Sequence, residues 1–307
     1  MSDKKILCLL VLYKPDKKIL HEAISAIANQ VEYIWISDNT PGGYSQIDEI
    51  LNINKAKISY EYMLRNVGIA HAQNIGIKYA IKNDYDFVYM LDQDSISPLG
   101  LVDNLEEEFL RLRKKGINVG GVGPQPFNRD TGKKYVATIK KGKLIDVSVR
   151  EVSELINSAS LIDVNMFKDV GLMEDSLFID AVDFELCWRA SFLRGYRFFQ
   201  ISSLSLNHKL GEGDRYLCGM AIKIPTPFRT YYLYRNYICL CRRKYVPLYW
   251  KVSNGIKFFF KYFYLSLFVT PRFEYFRNIN RGICDGVFNK FDDFALDEKS
   301  YNMEAKC

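Results

Sequence analysis

Continuous apolar runs alternate with helical patterns through the first 130 residues, and that alternation constrains the fold more than any other feature of the chain. Runs rich in Ile, Val, Leu and Tyr predict strands at Ile6–Tyr13, Tyr33–Ser37, Ile58–Met63, Phe87–Leu91 and Val119–Gly123. Between them, apolar residues spaced three and four apart predict helices over Asp16–Asn29, Tyr44–Leu51, Ile69–Lys82 and Leu99–Lys115. Strands that are apolar at successive positions are covered on both faces, as in a parallel sheet flanked by helices. The series is βαβ, so the fold class is α/β: a Rossmann-like, mainly parallel sheet.

Past Pro124 the rhythm changes. Tyr135–Ile139 and Leu144–Val149, separated by a KKGK turn, predict a hairpin, and Leu155–Ile162 predicts another strand. A helix over Val182–Leu193 and a strand over Tyr196–Leu206 follow. From there the composition shifts: residues 227–290 hold 12 Lys and Arg against 2 Asp and Glu, together with 19 of the 44 aromatic residues. The expected organisation is an α/β domain over 1–225 and a basic, aromatic, helical C-terminal appendage over 226–307, with Pro247 dividing two of its helices.

Composition narrows the function classes. With 48% hydrophobic and 14% aromatic residues the chain can bury a large core, and global disorder is excluded. A net charge of +6 is too mild to make nucleic acid the expected partner. Seven scattered cysteines without a C-x-x-C pair read as reduced thiols in a cytosolic setting. The apolar run ending at Tyr13 reads as a buried first strand rather than a secretory leader, and Phe258–Val269, interrupted by Lys261, is too short to span a bilayer. Cations interleaved with Tyr, Trp and Phe after Arg229 suit a helix lying on an anionic membrane surface; core packing with a solvated cationic face is the alternative.

In open parallel sheets ligands sit beyond the carboxyl ends of the strands, so the residues after each strand are the candidates. The strongest is Met90-Leu91-Asp92-Gln93-Asp94-Ser95, where an apolar strand runs into two carboxylates. Two such groups repel unless a hard cation lies between them, and Mg²⁺ or Mn²⁺ with substrate phosphates is the usual occupant; a helix cap is the alternative. Gly68, Ala70 and Ala72 let a helix N-terminus approach an anion, or else mark tight packing. Asp180 and Asp183 stand three apart at the start of a predicted helix, where either serves as a cap or as a general base. His208, after the last predicted strand, is a candidate metal or phosphate ligand, or a structural hydrogen-bonder.

Taken in order, VLYKPD, SDNTP, NVGIAHAQNIGI, MLDQDS, FIDAVDFELCWRA and NHKLGEG resemble the family 2 glycosyltransferases of GT-A fold, and more narrowly the bacterial rhamnosyltransferases that build O-antigen or capsule polysaccharide. The resemblance covers roughly residues 5–245 and implies an inverting enzyme that is dependent on Mg²⁺ or Mn²⁺. Its implied donor is a nucleotide sugar, dTDP-L-rhamnose first, with UDP-galactofuranose, UDP-galactose or UDP-glucose as alternatives. The implied acceptor is a polyprenyl-diphosphate-linked saccharide at the cytoplasmic, inner face of the bacterial plasma membrane, where the protein would be peripheral. A non-catalytic nucleotide-sugar-binding scaffold is the rival from another class.

By the same resemblance, Asp38 contacts the base or ribose, with Tyr13 and Lys14 on the nucleotide side. Asn66, Gly68 and Asn74 belong to the segment under the diphosphate. Asp92 and Asp94 form the metal motif, Asp94 being the direct ligand, and His208 completes the metal or diphosphate site. Asp180 or Asp183 is the catalytic base, with Asp180 preferred because Asp183 falls where the family's helix begins.

Overall fold

The computed structural model describes residues 4–53, 57–128, 142–208, 214–217 and 220–291, with backbone alone at 126–128, 205, 207–208, 214–217 and 220–223. The chain divides into two compact units: Met1–Asp175 with Val182–Gly211, and Ser176–Ala181 with Glu212–Cys307.

The first unit runs β1 (Ile6–Leu12), α1 (Lys17–Ile27), β2 (Tyr33–Asp38), α2 (Ile47–Leu51), β3 (Ile58–Tyr62), α3 (Ile69–Lys82), β4 (Phe87–Asp92), α4 (Leu101–Lys114) and β5 (Val119–Asn128). It continues with β6 (Lys143–Leu144), β7 (Val149–Val152), β8 (Ser160–Asp163), α5 (Val164–Val170), α6 (Val182–Arg194) and β9 (Arg197–His208). The strands form one nine-stranded sheet in the order β3-β2-β1-β4-β8-β5-β9-β7-β6. From β3 to β4 the pairing is parallel, as the βαβ pattern requires. β8 then inserts antiparallel between β4 and β5. This is a mixed α/β fold with a large central sheet flanked by helices.

Burial explains the apolar runs. Leu7, Cys8, Leu9 and Leu10 of β1 are all shielded, because both faces of the strand are covered. α1 starts where the Asp16 carboxylate accepts from Ile19 N at 2.9 Å, and it buries Leu20, Ala23, Ile24 and Ile27 on one stripe. α3 approaches the sheet so closely that a Cβ on Gly76 would lie 2.1 Å from Leu9 Cδ1 and 2.9 Å from Trp35 Cδ1. The small residues of that motif therefore serve packing at this position.

Two expectations past Pro124 change. The strand predicted over Leu155–Ile162 shrinks to Ser160–Asp163, after which Asp163 caps α5 by accepting from Asn165 N at 3.0 Å. The hairpin predicted from Leu144–Val149 has its turn inside that range. Asp146 Oδ1 accepts from Ser148 N at 3.1 Å and Val149 N at 3.0 Å, so the strands are β6 and β7 on either side. The other predicted arm, Tyr135–Ile139, lies outside the described residues.

The second unit contains the antiparallel pair β10 (Asp214–Leu217) and β11 (Met220–Lys223), then α7 (Pro227–Cys241), α8 (Leu248–Phe268) and α9 (Arg272–Phe288). α7 and α9 touch through glycine: a Cβ on Gly282 would meet Tyr231 O at 2.4 Å, and one on Gly286 would meet Arg235 O at 2.9 Å. Tyr234, Leu265, Val269, Tyr275 and Ile279 form the core of the three helices. α8 departs from ordinary amphipathic practice. Leu248, Val252, Ile256, Phe259, Phe263 and Leu267 are all exposed, and at 100° per residue they fall within about 100° of arc. No described helix is long and apolar enough to cross a membrane.

Candidate active site

The parallel half of the sheet delivers the ends of β1, β2 and β4 to one rim, and side chains knit those ends together. Gln93 binds the backbone just beyond β1 from both sides, its Oε1 accepting from Tyr13 N at 2.8 Å and its Nε2 donating to Tyr13 O at 3.1 Å. Lys14 takes a left-handed conformation, φ +46°, with its N–H donating to Thr40 Oγ1 at 2.9 Å and its ammonium over the Tyr13 ring. Asp38 is buried at the end of β2. Its carboxylate accepts from Thr40 N at 2.8 Å, Tyr44 N at 2.7 Å and Tyr60 OH at 2.6 Å, which shapes the loop after the strand. Burial, with the Asp38 contact second, pushes the Tyr60 phenol far above its ordinary range.

The Asn-rich motif is organised by hydrogen bonds. Asn66 Oδ1 accepts from Gly68 N at 3.1 Å, and Gly68 opens α3 at φ +85°, a region that favours glycine. Asn74 is buried: its Nδ2 donates to Met173 O at 2.9 Å and to the Asp175 carboxylate, while its Oδ1 accepts from Met173 N at 2.8 Å. It latches the segment before residue 176 to α3. Asn39, which spacing alone did not single out, clamps the same motif by donating to Gly68 O at 3.1 Å and accepting from Val67 N at 3.3 Å. Its position beside Asp38 at a strand end was the available signal. Gln93, named in the Asp-Gln-Asp motif for its neighbours, has a role set by a backbone eighty positions away.

At the end of β4, Asp92 and Asp94 are both half-buried, with a turn closed by Ser95 N donating to Asp92 O at 3.0 Å. Among the described residues no hydrogen bond or ion pair engages the Asp94 carboxylate, and no group of three or more metal-ligating side chains occurs. The His208 side chain lies outside the described residues.

The structure brings Asp183 to this acidic end, and it pairs Asp180 with Arg229. Asp183 sits in the first turn of α6, with Oδ1 accepting from Phe184 N at 2.9 Å. Burial pushes its carboxyl up to about 7 from 3.8; N–H groups of Phe184 and Asn157 partly offset this, and the charge of Asp92 adds to it. Two carboxyl groups ninety-one residues apart in sequence are thus near enough for the charge of one to raise the proton affinity of the other. Asp180 belongs to the second unit, where the Arg229 guanidinium grips it at 2.5–3.1 Å. Further along α6, buried Glu185 pairs with Arg189 at 2.8 Å, and Arg189 also donates to Val170 O and Leu172 O, a brace for the chain after α5.

Residues 9–171, more than half of the chain, match the family model described as glycosyl transferase family 2. The chain belongs to that family. Over 299 residues it is 28% identical to the dTDP-rhamnosyl transferase RfbF of Shigella flexneri, covering 93% of this chain and 96% of that protein. Among solved structures it resembles TarS 1–349 of S. aureus in complex with UDP-GlcNAc, with a TM-score of 0.56, 14% identity and coverage of 98% and 92% of the two chains. It also resembles GalNAc-T7 with UDP, GalNAc and Mn²⁺, again at TM-score 0.56 and 14% identity, spanning 97% of this chain but 57% of that one. The fold is therefore of GT-A type, and this glycosyl transferase family 2 chain is a glycosyltransferase.

Proposed function

We propose that the enzyme moves L-rhamnose from dTDP-L-rhamnose to a lipid-linked saccharide acceptor in O-antigen or capsule synthesis, with inversion at the anomeric carbon. The donor is supported by the relative from Shigella flexneri, a dTDP-rhamnosyl transferase matched along nearly the whole of both chains. The chemistry is carried by one observation: Asp183 stands in the first turn of α6, close enough to Asp92 to feel its charge, where burial raises its proton affinity toward neutrality, the range in which a general base works best. Asp183 is the base in this reading. It takes the proton of the acceptor hydroxyl as that oxygen displaces the nucleoside diphosphate. Asp180, paired with Arg229, is the alternative base in this reading.

The residues present fit a divalent cation. Asp92 and Asp94 offer hard oxygen donors, and a protein that supplies one or two carboxylates leaves the remaining positions to phosphate and water, as Mg²⁺ and Mn²⁺ prefer. Asp94 would hold the ion beside Asp92, and the family resemblance adds His208 as a further ligand. When bound, the cation supplies charge compensation at the departing diphosphate. Tyr13 and Lys14 border the nucleotide, Asp38 shapes the wall they stand on, and Asn66 and Gly68 set the start of α3 beneath the diphosphate; Asn74 supports that segment from behind. The test is a panel of dTDP-rhamnose, UDP-galactofuranose, UDP-galactose and UDP-glucose with Mg²⁺ or Mn²⁺. Release of dTDP at a rate at least tenfold above any UDP release is expected, and silence on every donor with a lipid-linked acceptor present would favour the scaffold.

The enzyme also meets its acceptor on the membrane in this reading. The apolar face of α8 is uncharged along its length, and the segment around it is strongly cationic, which complements an anionic bilayer and repels a second copy of itself. Flotation with vesicles containing anionic lipid is expected, weakened by Phe259→Asp with Phe263→Asp. Sedimentation of the wild type away from such vesicles would end this part of the proposal.

A further inference from the structure

Residues 176–181 lead into α6 two positions before Asp183, yet they pack within the second unit. Three of the six hold left-handed backbone: Phe178 at φ +63°, Asp180 at +67° and Ala181 at +61°. None is glycine, and such strain persists only where the surroundings over-determine it.

α7 supplies that determination from successive turns. Arg229 forks onto Asp180, with Nε 3.0 Å from Oδ1 and Nη2 2.5 Å from the same oxygen. Tyr232 stacks on Phe178, ring centroids 4.5 Å apart and planes 9° apart. Asn236 Nδ2 donates to three carbonyls of the loop: Leu177 O at 2.8 Å, Ile179 O at 2.7 Å and Asp180 O at 3.2 Å. Buried Arg235 donates to Ser176 O and, from Nε at 3.2 Å and Nη2 at 3.0 Å, to Asn236 Oδ1. Those donors settle which way round the Asn236 amide lies. Four loop carbonyls are thus held by two adjacent side chains.

A connection needed only to close a chain would place glycine at its left-handed positions. This one keeps Phe, Asp and Ala there and holds them in place. Resting on the reading of Asp183 as base, we propose that α7 is a clamp that sets the backbone in front of that residue, with Arg229 and Asn236 as positioning residues for transfer. Because misplacing a reacting group by an ångström costs as much as 10²-fold, loosening the clamp lowers turnover without touching the donor.

The test follows dTDP release from dTDP-L-rhamnose with Mg²⁺ and water as acceptor, in the full chain and in Asn236→Ala, Arg229→Gln and Asp183→Asn. For the first two, kcat is expected to fall at least tenfold with donor KM within about twofold of wild type, in protein whose melting curve shows it folded at the assay temperature. Should Asn236→Ala not fold, Arg229→Gln, at a position whose side chain is half exposed, carries the test alone. Wild-type kcat in folded Asn236→Ala or Arg229→Gln, while Asp183→Asn is inactive, overturns the clamp. Wild-type kcat in Asp183→Asn instead overturns the assignment of the base.

Discussion

Asp183→Asn is expected to give a protein that binds donor, transfers at 10²- to 10⁴-fold below wild type and is more stable than wild type above pH 7. The loss of rate is the usual magnitude for removing a positioned general base. The gain in stability follows from burial. Asp183 titrates near 7 in the folded chain against 3.8 ordinarily, because its carboxyl is desolvated and Asp92 lies close by. A group whose folded pKa is raised contributes stability fully below its unfolded pKa, and loses it as pH rises through the folded value. Between about pH 4 and 7 the folded state holds a proton that the unfolded state has released, and above pH 7 it carries an ill-solvated charge. A shift of three units corresponds to a ceiling of about 4 kcal/mol. Asn carries no charge at any pH, so the variant should match wild type near pH 4 and exceed it by about 1–3 kcal/mol at pH 8. Denaturant titrations at the two pH values, beside a transfer assay, check both halves. A variant that keeps more than a tenth of wild-type transfer would return the role to Asp180.

Asp94→Ala should be the other severe loss. The Asp94 carboxylate has no partner among the described residues, so its removal leaves the fold intact and takes away one of the few hard oxygens at the end of β4. Charge stabilisation at a departing diphosphate amounts to several kcal/mol, and each 1.36 kcal/mol is tenfold in rate, so turnover should fall by about a hundredfold or more. Calorimetry of dTDP binding provides the specific readout. In wild type, chelating the divalent ion should weaken binding; in Asp94→Ala, binding should be weak already and indifferent to chelation. Persistence of a full Mg²⁺ effect in the variant would remove Asp94 from the metal site.

What was legible in the residues was whatever local periodicity controls. The four parallel strands and their helices, and the polar residues at the strand ends, follow from apolar runs whose cause is burial on both faces. What escaped depended on distant partners. Val147 reads as a strand residue, but Asp146 bends the chain there and leaves Val147 exposed. Asn74 is a candidate site residue by its motif, and its amide is bonded to Met173, ninety-nine positions away, a partner that spacing does not reveal. Asp180 and Asp183 show the same dependence: spacing makes them equivalent, and the partner that distinguishes their surroundings, Arg229, lies forty-nine positions beyond Asp180.

The interleaving of the two units bears on how such enzymes can be cut and recombined. The polypeptide leaves the first unit after Asp175, spends six residues in the second and returns at Val182 before departing again. A fragment ending after β9 would retain the whole nine-stranded sheet with Asp92, Asp94 and Asp183, and would look like a complete module on a gene map. It would nevertheless have shed the residues that fasten its own Ser176–Ala181. Grafting the carboxyl-terminal helices of one homologue onto the sheet of another therefore parts Ser176–Ala181 from the side chains that hold it, unless the graft carries the six-residue excursion with it.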